Sequence, residues 1–442
     1  MNRIQIAPDE VVNVLSRHIL VDGYDITLDM ANSHGSYLHD AKHNRKLLDF
    51  FTFFASAPVG FNHPKMLNDK EFLDALLRAA LTNPSNSDIY TVEYAQFMNS
   101  FERVAMNSDF KYAFFIAGGT LAVENTLKAA MDWKVKKNFQ KGYCSEKGHQ
   151  ILHFEQAFHG RSGYALSLTN TTVDKTALFT KFDWPRVSNP KIKFPYTDSG
   201  YDELKKREQL AIKQIKQYFY DRKDDIAAII IEPIQAEGGD NHFRAEFLQE
   251  LKNLALENEA LLIFDEVQTG VGLTGKFWAY EHFGVIPDMI AFGKKMQICG
   301  LLCGERIDEI PDNVFHVPSR INSTWGGNLV DMVRAGKILD IIEEDNLVQN
   351  AADMGEHLLQ GLHSIAEEHP QKVSNVRGRG LMCAFDLTNK VQRDALIKEA
   401  MHEGLFLLGC AEKTIRFRPP LNISKEEVEK GVEIIKQVLH KI

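Results

Sequence analysis

The chain has 442 residues, of which 44% are hydrophobic and 25% are charged, and its formal net charge is −9. This composition predicts a globular protein with a sizeable core, divided into one large domain and a smaller one. The negative charge argues against nucleic acid or an anionic membrane as the main partner, because both favour a basic surface. No run approaches the roughly 20 apolar residues that span a bilayer, and the first ten residues lack a signal-peptide apolar region, so we expect a cytoplasmic protein.

The five cysteines are an odd number scattered along the chain, which favours a reducing compartment over a disulfide framework. Only Cys299 and Cys303 lie close together in sequence. A metal site would need a second pair of ligands at suitable spacing, and the chain offers none. We therefore predict buried or idle thiols and no metal.

The predicted elements begin with an N-terminal segment, residues 1–70, whose apolar run 47–54 we expect to pack against both later parts. Residues 71–328 form the predicted large domain. Short apolar runs alternate there with longer amphipathic stretches, the pattern of βαβ units and a mostly parallel sheet. Its predicted strands are 114–116, 150–154, 226–232, 261–264 and 289–292.

Residues 329–442 form the predicted smaller α+β domain. Its elements are, in chain order, helices 332–344 and 350–369 and strands 380–387 and 414–418. A Ser-x-x-Glu capping box at Ser424 and Glu427 predicts a closing helix over 424–440.

Charged residues follow two of the predicted strands, Asp265 after 261–264 and Lys294 after 289–292. In a parallel sheet both fall at the edge where ligands bind, beyond the carboxyl ends of the strands. The pair suits pyridoxal phosphate, whose ring nitrogen needs an anionic partner and whose aldehyde needs a lysine. Taken singly, Asp265 is equally explained as a helix N-cap and Lys294 as a solvated surface lysine.

Glycines and an aromatic residue follow two other strands. Gly119 and Thr120 open an amphipathic helix, where free backbone N–H groups could bind a phosphate, although a plain strand-to-helix turn explains them as well. Phe158 could stack on a flat ring, and Arg161 could bind a substrate carboxylate in bidentate fashion. A surface turn with a solvated arginine is the alternative.

Two glutamates end the most apolar predicted strand, 226–232, and its following loop. Glu232 at the strand terminus is the kind of half-buried carboxylate that caps backbone groups or pairs with a neighbour. Glu237, beside two glycines that admit a ligand, is the better functional candidate.

Together these segments resemble the class III aminotransferases, which depend on pyridoxal phosphate, and the resemblance covers nearly the whole chain. Its most specific parts are the run 265–270, DEVQTG, and the pair Gly293-Lys294. The family's lysine directly follows that glycine, so the resemblance implies Lys294 rather than Lys295. It also implies an α/β fold of type I: a large domain with a mostly parallel seven-stranded sheet flanked by helices, plus a smaller α+β domain built from the N- and C-terminal segments.

Carried over residue by residue, the resemblance implies a role for each matching side chain. Thr324 is expected to reach the phosphate from the neighbouring subunit, which implies a homodimer with a shared active site. Pyridoxamine phosphate is expected during turnover. The other implied cofactor contacts are Gly119 and Thr120 to the phosphate, Phe158 stacked on the ring, Asp265 to the ring nitrogen, Gln268 to the ring hydroxyl and Lys294 as internal aldimine.

Within the family the motifs are most similar to the lysine-specific members, on strings such as 83–88, 322–328 and 416–421. This implies ping-pong transfer of the terminal amino group of L-lysine to 2-oxoglutarate, giving 2-aminoadipate 6-semialdehyde and glutamate. Arg416 would bind the 2-oxoglutarate carboxylate next to the reacting carbon, and Glu237 would pair with Arg416 when lysine occupies the site. The implied substrate-binding residues are Arg161, Glu237, Gln268, Asn322 and Arg416.

Other functions remain open at this point. Ornithine, acetylornithine or 4-aminobutyrate could be the donor, and an aminomutase would also use Asp265 and Lys294. A non-enzymatic regulator is disfavoured because no basic arm is present. A nicotinamide dehydrogenase is disfavoured because the glycine spacing is wrong and no acidic residue follows at the required distance.

Overall fold

The structure, a computed structural model, describes residues 6–442. Its strands are β1 Tyr37–Asp40, β2 Arg45–Asp49, β3 Tyr112–Ile116, β4 Gln150–Phe154, β5 Arg186–Val187, β6 Ile226–Ile231, β7 Ile234–Gln235, β8 Asn241–His242, β9 Leu261–Asp265, β10 Met289–Phe292, β11 Cys299–Cys303, β12 Ser374–Arg379, β13 Met382–Asp386, β14 Leu405–Phe406, β15 Leu408–Cys410 and β16 Thr414–Phe417. Its helices are α1 Val11–Leu15, α2 Thr52–Ala55, α3 Pro64–Leu67, α4 Lys70–Leu81, α5 Val92–Val104, α6 Gly119–Gln140, α7 Gly163–Leu168, α8 Asp198–Asp221, α9 Ala245–Glu257, α10 Leu329–Glu344, α11 Leu347–Glu368, α12 Lys390–His402 and α13 Lys425–Lys441. Across residues 6–442, the helices are too short or too polar to cross a membrane.

A seven-stranded sheet forms the centre of the molecule, in the order β3-β11-β10-β9-β6-β4-β5. Only β11 runs against the other strands, since it pairs antiparallel with both β10 and β3. The mostly parallel seven-stranded sheet is therefore confirmed, and all five predicted strands lie within it. The sequence patterns missed β5 and β11.

Helices cover both faces of this sheet, which explains why its strands are almost continuously apolar. All six residues of β6 are buried. Ile230 packs with Leu127 of α6 on one face, whereas Ile229 belongs to the cluster that contains Phe247 of α9 on the other. The alternation places the core on both sides of the sheet and leaves its carboxyl edge for the site.

The register of β9 and β10 brings the two charged strand ends together. The strands are parallel, and Ala291 lies opposite Asp265. Lys294 follows three residues after Ala291, just beyond the end of β10. Both side chains therefore lie at the same edge of the sheet, as the sequence predicts.

The C-terminal part contains a four-stranded antiparallel sheet in the order β12-β13-β16-β15. Helix α13 closes the chain and begins with the predicted capping box, in which the side chains of Ser424 and Glu427 each accept a backbone N–H. The N-terminal strands β1 and β2 form a separate sheet with β14. This pairing attaches the N-terminal segment to the C-terminal part, and the division at residues 70 and 328 remains a prediction.

The short helix α2 is a single left-handed turn. Its four residues, from Thr52 to Ala55, have φ angles between 42° and 66°. Residues other than glycine adopt this conformation at a cost of about 1–2 kcal/mol each. The turn thus needs strong outside support.

That support comes from buried polar groups on several elements. Asp49 accepts hydrogen bonds from the N–H groups of Phe51 and Thr52, both at 2.8 Å, and its burial raises the pKa of the carboxyl to about 6. Thr52 Oγ1 donates to the carbonyl of Arg418 at 2.6 Å. Gln297 Nε2 donates to the Ser56 carbonyl at 2.6 Å. The turn is therefore fixed against the strand ends that carry the site.

Candidate active site

Lys294 stands in a tight turn directly after β10. Its φ of 50° is in the left-handed region, and its side chain is half-buried. Burial lowers the pKa of the amine from 10.5 to about 8, and the positive charge of Arg416 adds to this, while Asp265 and Glu232 oppose it. A far larger fraction of this amine is neutral at pH 7 than of an ordinary lysine.

Gly293, before the lysine, leaves room for a buried thiol. A Cβ on Gly293 would lie 2.8 Å from Cys299 Sγ, which no side chain tolerates. Burial also raises the pKa of this thiol. Cys299 thus packs between the lysine turn and Ala122 of α6, and it is a buried free thiol, as expected from the sequence.

Asp265 is paired with a histidine that the sequence interpretation passed over. His159 Nδ1 lies 2.8 Å from Asp265 Oδ2, and both residues are buried. Asp265 Oδ1 accepts the N–H of Val267 at 3.1 Å. His159 Nε2 is buried without a hydrogen-bond partner. The aspartate is held rigidly in position.

Glu232 supports the neighbouring turn. Its two carboxylate oxygens accept the N–H groups of Phe158 and Ala236 at 2.9 and 3.0 Å. Burial raises the pKa of Glu232 to about 7. The glutamate therefore caps backbone groups, one of the two roles expected from its place at a strand end, and it fixes the half-buried Phe158 at the site.

The start of α6 offers free backbone donors. Gly118 precedes the helix with φ 104°, a conformation suited to glycine, and the N–H groups of the first turn have no partner within the helix. A Cβ on Gly119 would lie 3.0 Å from Val267 Cγ1, so this helix start is packed against the loop after Asp265. Thr120 Oγ1 accepts the N–H of Arg161 at 3.4 Å.

Arg416 and Glu237 form an ion pair at the same edge. Arg416 Nη2 donates to Glu237 Oε2 at 2.7 Å, as the resemblance implies. The Nε and Nη1 atoms of Arg416 are buried without a partner. Burial would raise the pKa of Glu237, but the charges of Arg416 and Lys175 outweigh it and hold the pKa below its usual value.

Lys175 is the second residue that the sequence interpretation missed. Its Nζ donates to Glu237 Oε1 at 2.5 Å and lies 5.5 Å from the centre of the Phe158 ring. A cavity of about 520 Å³ lies beside Lys175 and Glu237 and is also lined by Tyr24 and Arg393.

The neighbouring arginine, Arg418, is fully occupied. It binds both oxygens of Asp240, at 2.6 and 3.0 Å, and its Nε donates to Gln268 Oε1 at 3.0 Å. Arg418 and Asp240 are completely buried. Of these two buried arginines, only Arg416 keeps donors available for a ligand.

Three of the predicted site residues lie on the surface of the chain. Arg161, Asn322 and Thr324 are exposed. Asn322 Oδ1 accepts a hydrogen bond from Ser87 Oγ at 2.5 Å. Within residues 6–442 the guanidinium of Arg161 and the hydroxyl of Thr324 have no hydrogen-bond partner. Their roles stay predictions.

The arrangement fits one kind of cofactor. A planar ring with a basic nitrogen suits the buried carboxylate of Asp265, and an aldehyde suits the lysine with a lowered pKa. A phosphate suits the free N–H groups at the start of α6, which also carries the positive end of a helix dipole of 22 residues.

Comparison with known proteins gives the same result. Residues 20–439 match the family model "Aminotransferase class-III". The L-lysine-epsilon aminotransferase of Mycobacterium tuberculosis is 50% identical over 434 residues, 98% of this chain and 96% of that protein. The enzyme of the same name from Amycolatopsis lactamdurans is 47% identical over 437 residues, with the same shares covered.

A solved structure is equally close. A lysine aminotransferase from M. tuberculosis, in the internal aldimine form, has a TM-score of 0.96 and 48% identity, and the match covers 99% of this chain and all of that one. The resemblance inferred from the motifs is confirmed. The chain belongs to the class III aminotransferases, which depend on pyridoxal phosphate.

Proposed function

We propose that the protein transfers the terminal amino group of L-lysine to 2-oxoglutarate, giving 2-aminoadipate 6-semialdehyde and glutamate in a ping-pong reaction. The observation that carries this proposal is the Arg416–Glu237 pair beside Lys294, because it lets one site accept two differently charged substrates. The names of the relatives at 47–50% identity support lysine as the donor.

In this proposal the residues keep the cofactor roles that the resemblance implies. When bound, pyridoxal phosphate supplies an electron sink that makes the substrate carbon acidic. The free amide nitrogen of Gln268 supports its contact with the ring hydroxyl, since its oxygen is already bound by Arg418. The proposed cofactor residues are Gly119, Thr120, Phe158, Asp265, Gln268, Lys294 and, from the neighbouring subunit, Thr324.

Lys294 then moves a proton. Once substrate has displaced it, its amine would take the proton from the substrate carbon as general base and deliver it, as general acid, to the cofactor carbon that carried the aldehyde. A pKa near 8 suits both steps close to neutral pH, because both protonation states are populated.

Glu237 adapts the site to its two substrates. 2-Oxoglutarate places a carboxylate next to the reacting carbon, where the two unpartnered donors of Arg416 can bind it. Lysine places only methylene groups there, and Glu237 then pairs with Arg416, since a buried arginine without a partner is costly. Arg161, assisted by Asn322, is proposed to bind the distal carboxylate of 2-oxoglutarate or the α-carboxylate of lysine.

The substitution Glu237→Ala tests this switch. We expect kcat/KM of the lysine half-reaction to fall about 10- to 100-fold more than that of the glutamate half-reaction, because only lysine leaves Arg416 unpaired. Single-turnover kinetics of each half-reaction measure the two losses. Glu237→Gln, which keeps a hydrogen-bond acceptor, should give an intermediate effect, and equal losses in both half-reactions would contradict the switch.

The lowered pKa of Lys294 predicts how the cofactor-free protein takes up pyridoxal phosphate. Only the neutral amine attacks the aldehyde, so the attachment rate should be level above about pH 8 and fall about tenfold per pH unit well below it. Second-order rate constants between pH 6 and 10 check this, with Nα-acetyl-lysine as the reference for the cofactor's own ionisation. A rate that still climbs steeply at pH 10 would show an ordinary lysine.

A donor panel tests the substrate assignment. With 2-oxoglutarate as acceptor, kcat/KM should be highest for lysine among lysine, ornithine, acetylornithine and 4-aminobutyrate. Preference for another donor would overturn lysine while leaving the family unchanged. Consumption of the donor without formation of glutamate would instead indicate an aminomutase.

We also propose a homodimer and a cytoplasmic location. The exposed position of Thr324 supports a contribution to a neighbouring subunit. Five free thiols, four of them buried, support a reducing compartment. The three-part division at residues 70 and 328 is kept as part of the proposal.

A further inference from the structure

The carboxylate of Glu237 is shared between two cations of different character. Oε2 is 2.7 Å from Nη2 of Arg416, whose side chain is 1% exposed, and Oε1 is 2.5 Å from Nζ of Lys175, whose side chain is 30% exposed. Arg416 is fixed on a buried strand, whereas Lys175 ends the short 3-10 turn Val173–Lys175 of a surface segment. Glu237 can therefore leave Arg416 while it stays in contact with Lys175, without disturbing the core.

This arrangement bears on what happens when a substrate carboxylate takes the place of Glu237 on Arg416. Glu237 is itself only 21% exposed, so a released carboxylate without a partner would lie poorly solvated at the wall of the site. With Lys175 in contact, the released Glu237 keeps one ion pair. Tyr24, whose pKa is raised by burial in the same surroundings, is not a cation and offers no substitute.

We propose that Lys175 is the anchor that retains Glu237 after it leaves Arg416, and so determines how readily the site accepts 2-oxoglutarate and glutamate. Lys175 is a positioning residue, since it acts through Glu237 rather than on the reacting atoms. The inference rests on the proposed function, in which Glu237 leaves Arg416 when a substrate carboxylate binds. It adds the position that Glu237 then occupies, in contact with Lys175. It gives Lys175 an effect opposite in direction to that of Glu237: loss of Lys175 penalises the dicarboxylate substrates, and loss of Glu237 penalises lysine.

Direct binding of a substrate carboxylate by Lys175 would be the competing explanation, because its ammonium lines the same cavity as Glu237. The two explanations differ in what happens once Glu237 is absent. An anchor then has nothing to hold, whereas a direct contact persists. Double-mutant cycles separate them.

The first test is Lys175→Met in the holoenzyme, with each half-reaction followed by rapid mixing. The apparent Kd of 2-oxoglutarate should rise about fivefold, the upper end of the range for an exposed ion pair, and that of lysine should change less than about twofold. Lys175→Arg should restore most of the loss. Lys398, exposed on the same cavity, has no ion pair with Glu237, so Lys398→Met should shift the 2-oxoglutarate Kd less than about twofold.

The second test repeats Lys175→Met in the Glu237→Ala background. No further weakening of 2-oxoglutarate binding supports the anchor, and a further loss of about fivefold overturns it in favour of direct contact. Equal losses for lysine and 2-oxoglutarate in the single variant would overturn it in favour of a structural role. If Glu237→Ala alone affects both half-reactions equally, the proposed switch itself fails, which is a distinct outcome.

Discussion

Lys294→Ala should reduce transamination by about 10⁴-fold, the upper range for one positioned acid–base group. The variant loses both the amine that attaches the cofactor and the base that moves the proton. Steady-state turnover with lysine and 2-oxoglutarate measures the loss. A small primary amine added to the variant should recover part of the rate, which would exclude simple misfolding.

Covalent labelling distinguishes Lys294 from its neighbour. Reduction of the wild-type holoenzyme with borohydride, followed by peptide mass spectrometry, should place the cofactor on Lys294. Lys295 is buried and donates to the Gln268 carbonyl at 2.7 Å, with its pKa held well below the usual value by burial. A label on Lys295, or near-normal turnover in Lys294→Ala, would overturn the assignment.

Asp265→Asn should lower turnover by about 10²- to 10³-fold, the loss typical when one electrostatic partner is removed from a dry active site. The amide has the shape of the carboxylate but no charge with which to keep the ring nitrogen protonated. His159 can still hold the side chain at its present 2.8 Å contact, so the cofactor should remain bound. Turnover per bound cofactor is the required measurement.

A second buried aspartate provides the control. Asp288 directly precedes β10 and so lies at the amino end of this strand, whereas Lys294 lies beyond its carboxyl end. Asp288 pairs with Lys252 and Arg306 at 2.6 and 3.2 Å. Asp288→Asn removes the same charge and should lower the melting temperature, but turnover per bound cofactor should stay within about threefold of wild type. Turnover in Asp265→Asn that also stayed within this range would mean that the ring nitrogen has another partner.

The parts of the fold that were predicted correctly depend on local signals. Strand 150–154 and the capping box at Ser424 are each defined by a few consecutive residues. Strand β11 was missed because CGLLC is a short apolar run whose direction depends on its neighbours β3 and β10. Such pairing cannot be read from periodicity.

The residues of the site also divide into those that a local sequence signal predicts and those that it does not. Asp265 and Lys294 were predictable because strand ends in a parallel sheet share one edge. The pairing of His159 with Asp265 joins residues 106 positions apart, and β6 lies between their strands, so no spacing announces it. The available signal was the pair His159-Gly160 in the turn after β4. Lys175 ends a short 3-10 turn of a surface segment, and the sequence around it shows no helix or strand periodicity.

The left-handed turn Thr52–Ala55 limits how this enzyme can be altered. Phe54 lies beside Arg416, with its ring centre 5.8 Å from the guanidinium carbon, so a substrate bound to Arg416 would lie next to this ring. Its φ of 61° tolerates glycine, asparagine or aspartate far better than valine or isoleucine. A substitution at Phe53 or Phe54 that is meant to reshape the pocket must therefore first be compatible with the left-handed backbone. The donor range that selection or design can reach from this sequence is narrower than the shape of the pocket suggests.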